Sequence, residues 1–329
     1  MTSDAPGWDA IDARLGELYP GVAPKHYGTL HTFALGGPDP LDGVSFYARV
    51  EPVPHWHLVG YGLSELYTKE TDDPAESGWG FELTFRVARA AADDEPPLWA
   101  ASLLQNLARY VFSTNNWFEP GHHMNAGGPI QHGYATSMTA LAFVEDPELG
   151  AIDTPHGRLR FLQVVGLTGD EYAAVRQWDT DGVLGLLARR HPLLVTDPDR
   201  PSITDDPAVR AEIEAGRARD GSSTGLLLVG GFGWAAEGDT VRLSFKEVTT
   251  ASVAQAVRDR LPFGRNLVLE GDGTRVVLRS ATTFGSRRSG DDLLELDLPA
   301  PVVAGLVDVL VPGTHAVPGT GHLVVDVEG

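Results

Sequence analysis

His55-Trp56-His57 is the most ligand-like stretch of the sequence. Residues two apart on a strand point to the same face, so these two imidazoles could hold one metal ion together with His122 or His123. A metal-dependent hydrolase using His55, His57, His122 and His123 is the enzymatic reading. The competing reading fits the flanking residues better: an apolar strand follows, and buried histidines there would hydrogen-bond within a core. Ser64-Glu65 lies close by, but a serine nucleophile needs an oriented base. The acids Glu70, Asp72, Asp73 and Glu76, and Asp93, Asp94 and Glu95, lack the spacing of a calcium loop and read as solvated surface. No GxxxxGK[ST], strand-borne GxGxxG or HExxH occurs, so the common signatures of nucleotide binding and zinc proteolysis fail. The absence of cysteine removes disulfides, thiolate metal sites and a cysteine nucleophile. No cofactor and no catalytic residue is expected.

Composition points toward a folded chain. A length of 329 residues predicts two domains or one large α/β unit, and 42% hydrophobic with 21% charged residues is the balance of a globular protein. A net charge of −20 repels phosphate backbones and anionic lipid, which excludes nucleic acid and membrane as partners and favours a basic protein. The start, Met1-Thr2-Ser3-Asp4-Ala5-Pro6, lacks a signal peptide's basic and apolar regions, and no run reaches the roughly 18 apolar residues of a membrane span. A cytoplasmic location is expected. Only Lys25, Lys69 and Lys246 of the 25 basic residues are lysines, a usage that matches a GC-rich bacterial genome.

The elements follow from periodicity. Trp8, Ile11, Leu15 and Leu18 predict a helix stopped by Pro20-Gly21. Strands are predicted at 44–50, 56–61 and 80–87, with Thr68 to Ser77 an exposed loop. Pro96-Pro97 primes a helix whose inward face is Trp99, Leu103, Leu107 and Tyr110 or Val111, ending near Ser113. Asn115 to Gln131, crowded with Gly, Pro, Asn and His, is a functional loop candidate. Strands at 137–144 and 158–167 precede a helix capped by Asp170 and a second acidic helix near 206–216. Gly225-Leu226-Leu227-Leu228-Val229 then stands as an isolated apolar run before Gly230-Gly231-Phe232-Gly233, which reads as a hinge. Beyond it strands are predicted at 241–245, 266–270, 275–283, 293–298 and 322–327, with helices at 251–261 and through Val302, Leu306 and Val309. The class is α+β, two mixed domains joined by a hinge segment. The expected divisions are 1–224, a linker strand and hinge at 225–238, and a smaller α+β domain at 239–329.

Three strings together resemble the suppressor-of-fused domain: Pro54-His55-Trp56-His57-Leu58-Val59-Gly60-Tyr61-Gly62-Leu63-Ser64-Glu65-Leu66-Tyr67, Gly78-Trp79-Gly80-Phe81-Glu82-Leu83-Thr84-Phe85-Arg86, and Leu107-Ala108-Arg109-Tyr110-Val111-Phe112. Further likeness at Thr154-Pro155-His156-Gly157, Phe161-Leu162-Gln163-Val164-Val165-Gly166 and Gln177-Trp178 extends it over most of 25–230. Toward the C-terminus it rests on Val241 to Phe245 and Arg260 to Arg265.

The resemblance implies a clamp of two domains closing on a linear peptide that adds as a strand, with no chemistry of its own. The animal members hold a Gli-type transcription factor, and bacterial relatives are proposed immunity proteins of polymorphic toxin systems. Carried onto this sequence, the peptide contacts are Tyr110, Phe118 and His122 in the N-terminal domain, Leu226 and Leu228 in the linker, and Val248 and Ser252 beyond it. His122 and Val248 stand where peptide-reading members carry an acid pair, so a different peptide is expected here. The reading is therefore a protein-binding chain whose partner is a protein or linear peptide segment, such as a toxin domain. A regulator sequestering a transcription factor is the alternative.

Overall fold

The computed structural model of the chain describes residues 4–31, 33, 36–90, 93–290 and 292–329. Met1-Thr2-Ser3, read above for targeting, lies outside them. Two compact units emerge, one of Met1–Ala173 with Val183–Val209, the other of Ala174–Gly182 with Arg210–Gly329. Both mix helices and strands, so the α+β class holds.

The first unit is built on helix α1 (Pro6–Leu18), strands β1 (Lys25–Gly28), β2 (Gly43–Arg49), β3 (His55–Tyr61) and β4 (Glu76–Ala88), helix α2 (Leu98–Thr114), and strands β5 (His123–Asn125), β6 (Met138–Glu145), β7 (Ala151–Thr154) and β8 (Gly157–Thr168). These strands form one eight-stranded sheet in the order β1-β2-β3-β4-β8-β6-β5, with β7 paired to β8 beside this path. Only β4 and β8 run parallel; the remaining pairs are antiparallel.

Both faces of the central strands are covered, which is why β3 is buried along its whole length. Side chains alternate across a strand, so Trp56 and Leu58 share a face with Leu83, Phe85, Leu162 and Val164 and pack with α2. Val59, Tyr61 and Phe161 face the other way, against Ile11 and Leu15 of α1, while Trp8 stacks on Tyr61 at 4.4 Å. The buried stripe of α2 is Ala100, Leu104, Leu107, Ala108 and Val111. Trp99 and Leu103 lie only partly buried beside it, and Tyr110 is exposed, so the inward face sits one residue round from the predicted stripe. Two alanines in that stripe bring the helix axis close to the sheet, and the bulky residues take the flanks.

Helices α3 (Gly169–Gln177), α4 (Thr180–Ala188) and α5 (Pro207–Asp220) cross the division between the units. Within the second unit Trp178 packs against α5: a Cβ on Gly216 would lie 2.2 Å from its ring, and its indole N–H donates to Asp220 at 3.0 Å. The rest of that unit comprises β9 (Leu226–Leu228), β10 (Gly233–Glu237), β11 (Thr240–Lys246), α6 (Glu247–Arg260), β12 (Leu267–Gly271), β13 (Thr274–Ser280), β14 (Gly285–Ser289), β15 (Leu293–Leu298), α7 (Ala300–Asp308), β16 (Gly313–Ala316) and β17 (Leu323–Glu328). A four-stranded sheet, β10-β11-β17-β16, and a five-stranded sheet, β14-β15-β13-β12-β9, share one apolar core with α6 and α7. Period-two alternation is clean here: Val276 and Leu278, and Leu294, Leu296 and Leu298, are wholly buried.

Candidate functional site

The apolar run Leu226–Leu228 becomes the outermost strand of the five-stranded sheet, parallel to β12. It is therefore bonded along one side rather than isolated. The Val268 N–H donates to the Gly225 carbonyl at 2.8 Å, and the Val229 N–H to the Glu270 carbonyl at 2.8 Å. Main-chain direction alternates along a strand, so Leu227 also turns its N–H and C=O to β12. The N–H and C=O groups of Leu226 and Leu228 point the other way, where no strand lies among the described residues. Leu227 packs against the core, whereas Leu226 and Leu228 are 48% and 74% exposed.

Two features hold β9 in this position. Arg260 donates from Nη1 to the Ser222 carbonyl at 2.7 Å and from Nε to the Asn266 carbonyl at 2.6 Å, tying together the approaches to β9 and β12. At the far end Gly271 touches Val229 so closely that a Cβ would lie 1.9 Å from the Val229 oxygen. Only a glycine admits that approach. On α6, Val248 and Ser252 are both exposed and one turn apart on the same helix face, Val248 being 87% exposed.

Of the residues expected in the first unit, Tyr110 and Phe118 are brought into contact. Phe118 is buried between Tyr110, whose ring stacks at 5.6 Å, and Phe143, stacked at 4.0 Å. Packing accounts for most of Phe118, while Tyr110 leaves one ring face to solvent. His122 is exposed; its Nδ1 accepts from the Glu119 N–H at 3.2 Å, and its carbonyl accepts from the Phe143 N–H at 2.9 Å.

The four-histidine metal site is corrected by the sheet order. His55 and His57 lie on β3, whereas His122 and His123 lie at β5, four strands away, which is about 19 Å at the usual spacing. No group of three or more His, Cys, Asp or Glu among the described residues is placed to hold an ion. His55 and His57 are instead fully buried and hydrogen-bonded. Val53 O accepts from Nδ1 of His55 at 2.7 Å. Around His57, the Tyr19 hydroxyl donates to Nδ1 at 2.5 Å and Nε2–H donates to Asp146 at 3.2 Å, a tautomer fixed because the carboxylate can only accept. Burial pushes both histidines down to about 4, and the Arg86 charge adds to this at His57.

Asp146 is the centre of a network that sequence reading missed. Arg86, wholly buried, donates to its two oxygens at 2.6 and 3.1 Å and reaches Glu148 at 2.9 Å and also Gln163. Thr84 and the Glu148 and Leu149 amides complete the donors on Asp146. Burial works to raise the Asp146 carboxyl, but the His57 hydrogen bond and the Arg86 charge hold it far below the carboxylate range. Arg86 Nε has no hydrogen-bond partner among the described residues, but the two Arg86 Nη groups and the Asp146 carboxylate are all paired within the unit, so the cluster positions the sheet and α1 rather than a ligand. Glu82-Thr84-Arg86 alternation in an otherwise apolar strand was the sequence signal for it.

Comparison with known proteins sets these features in a family. Residues 37–201 match the family described as Suppressor of fused protein (SUFU). The Suppressor of fused homologs of Homo sapiens and Mus musculus are each 37% identical over 236 residues, covering 66% of this chain and 48% of theirs. The chain thus spans about half the length of the curated relatives it matches. Among solved structures, Drosophila Suppressor of Fused aligns with a TM-score of 0.85 at 23% identity, over 98% of this chain and 97% of that one, a likeness of fold. The Sufu-Fu complex aligns with a TM-score of 0.59 at 33% identity, over 64% of this chain and 98% of that chain. The family match spans half of the sequence, and this chain belongs to the suppressor-of-fused family.

Proposed function

We propose that this chain is a non-enzymatic binding protein that takes an extended segment of a partner polypeptide as an added strand along β9. The observation that carries this is the outward pair of N–H and pair of C=O groups at Leu226 and Leu228, flanked by exposed leucines. Sheet edges are ordinarily protected by charge, and the opposite edge of the same sheet is: β14 exposes Arg287 and Arg288. Uncharged, apolar β9 is left as an acceptor of another strand. That a Sufu is known in complex with Fu supports protein binding as the family's mode of action.

Energetics decide where affinity arises. Four main-chain hydrogen bonds contribute about 0.5–1.5 kcal/mol each, and fixing three partner residues costs about 1–2 kcal/mol each, so these nearly cancel. Contacts with the Leu226 and Leu228 side chains must supply the surplus, at about 1.5–3 kcal/mol for a fully buried leucine. The Tyr110 ring and His122 in the first unit, and Val248 and Ser252 on α6, are further candidate contacts. The finer reading is an immunity protein that sequesters a toxin domain, for which the −20 net charge favours a basic partner.

Affinity capture from the source cell with the wild-type chain and with Leu226→Asp/Leu228→Asp tests the reading. One protein partner is expected to be retained by the wild type and lost by the variant, which should keep the wild-type circular dichroism spectrum. Equal recovery by both proteins would refute strand addition at β9.

A further inference from the structure

Beside the end of β9 a surface cleft of about 580 Å³ opens within the second unit. It runs from Leu228 and Val229, across the Gly271-Asp272-Gly273 turn that joins β12 to β13, to Asp292 and Leu293 where β15 begins. These are four adjacent strands, so the cleft crosses three strand spacings, about 14 Å, the reach of about four extended residues. It is continuous with the open edge through Leu228, which belongs to both.

The lining combines two chemistries. Leu228, Val229 and Leu293 give an apolar wall, and Glu270, Asp272 and Asp292 bring three carboxylates. Arg275, the cation of the cleft, is committed to Glu270 through Nε at 2.8 Å and Nη2 at 2.6 Å. Asp272 and Asp292 make no ion pair among the described residues and are exposed. A long aliphatic stem ending in a cation matches such a surface, because lysine and arginine lay their methylenes on apolar groups while the head stays with the charges.

We infer that this cleft is a specificity pocket for a lysine or arginine side chain of the same segment that adds to β9. The inference rests on the strand-addition reading and assigns the partner segment a basic residue just past its paired stretch. Asp272 and Asp292 choose the charge, and the Leu228 and Leu293 walls choose the length of the stem. Charge across the whole chain acts in the same direction, raising the association rate of basic segments at low salt.

The test uses threonine- and valine-alternating nonapeptides, capped at both ends, in which each position in turn carries Arg, Lys, citrulline, norleucine or Glu. Binding to the full chain is read by fluorescence anisotropy. One position is expected to favour Arg or Lys over citrulline and norleucine by about tenfold, the scale of one charge-assisted hydrogen bond. Asp272→Asn/Asp292→Asn should erase that preference and leave the norleucine peptides bound as before. Asn tolerates the positive φ of 49° at position 272, so the turn is retained. A preference that survives in the double variant, or a preference for Glu, overturns the pocket. Should the pocket fail while Leu228→Pro still abolishes peptide binding, strand addition stands without it; should Leu228→Pro leave binding unchanged, or should no peptide bind the wild type, both fall.

Discussion

Two proline substitutions one residue apart should have opposite consequences. The Leu228 N–H points away from β12, so Leu228→Pro removes a donor that nothing in the chain uses, and edge strands accept proline where the N–H faces solvent. Folding stability should change by less than about 1 kcal/mol. Partner binding should lose one main-chain hydrogen bond, about 1 kcal/mol, and the contact of a leucine that is 74% exposed in the free chain, about 1.5–3 kcal/mol. The sum is about 3 kcal/mol, or about a hundredfold in Kd. Leu227→Pro does the reverse: it breaks a ladder bond to β12 and disturbs a side chain packed on the core, at about 3 kcal/mol of stability. Urea denaturation and titration of the captured partner separate the two effects. If Leu228→Pro costs as much stability as Leu227→Pro, or leaves Kd within twofold of wild type, the assignment of inward and outward groups on β9 is wrong.

Gly271→Ala should loosen the same strand from within, because its Cβ would fall 1.9 Å from the Val229 oxygen and force β9 away from β12; a loss of about 1–3 kcal/mol in the urea midpoint is expected. Asp146→Asn should destabilise by about 3–5 kcal/mol, since the buried Arg86 charge is left without its principal counterion. A loss below 1 kcal/mol would show that water or Glu148 replaces it. Stability should also fall between pH 6.5 and pH 4. His55 and His57 are held down to about 4 in the fold and titrate near 6.5 when unfolded, so in that window the unfolded chain binds protons the native chain does not. Their contribution, on the order of 3 kcal/mol for fully buried His57, is complete above pH 6.5 and lost toward pH 4. Asp146, whose carboxyl is held low, adds a further loss below its unfolded value of about 4. Denaturation midpoints at pH 7.5, 5.5 and 4.5 that do not descend would contradict this.

Strongly periodic elements were legible in the sequence. The α1 stripe, the alternation of β13 and β15 and the proline-primed start of α2 all follow from local pattern. Short strands were not: β1, β14 and β16 have four or five residues with largely exposed side chains, β7 has four that are mostly half-buried, and only pairing with a neighbour makes them strands. The His55 and His57 pair shows the limit of spacing arguments. Their common face was right, but whether it met a metal or a carboxylate depended on Asp146, 89 residues beyond His57. The Leu226 to Leu228 run was recognisable as unusual, whereas its parallel docking on β12 is a long-range pairing that periodicity does not encode. Gly271-Asp272-Gly273 carried a hairpin signal between two alternating runs. Its carboxylate became meaningful only once the ends of four strands were brought side by side.

Amide exchange at three successive residues of β9 in the partner complex tests the account most directly. Saturating the chain with its captured partner should slow exchange at Leu226 and Leu228 by at least tenfold and leave Leu227, already bonded to β12, unchanged. Fast exchange at Leu226 and Leu228 in the fully formed complex would mean the partner binds elsewhere.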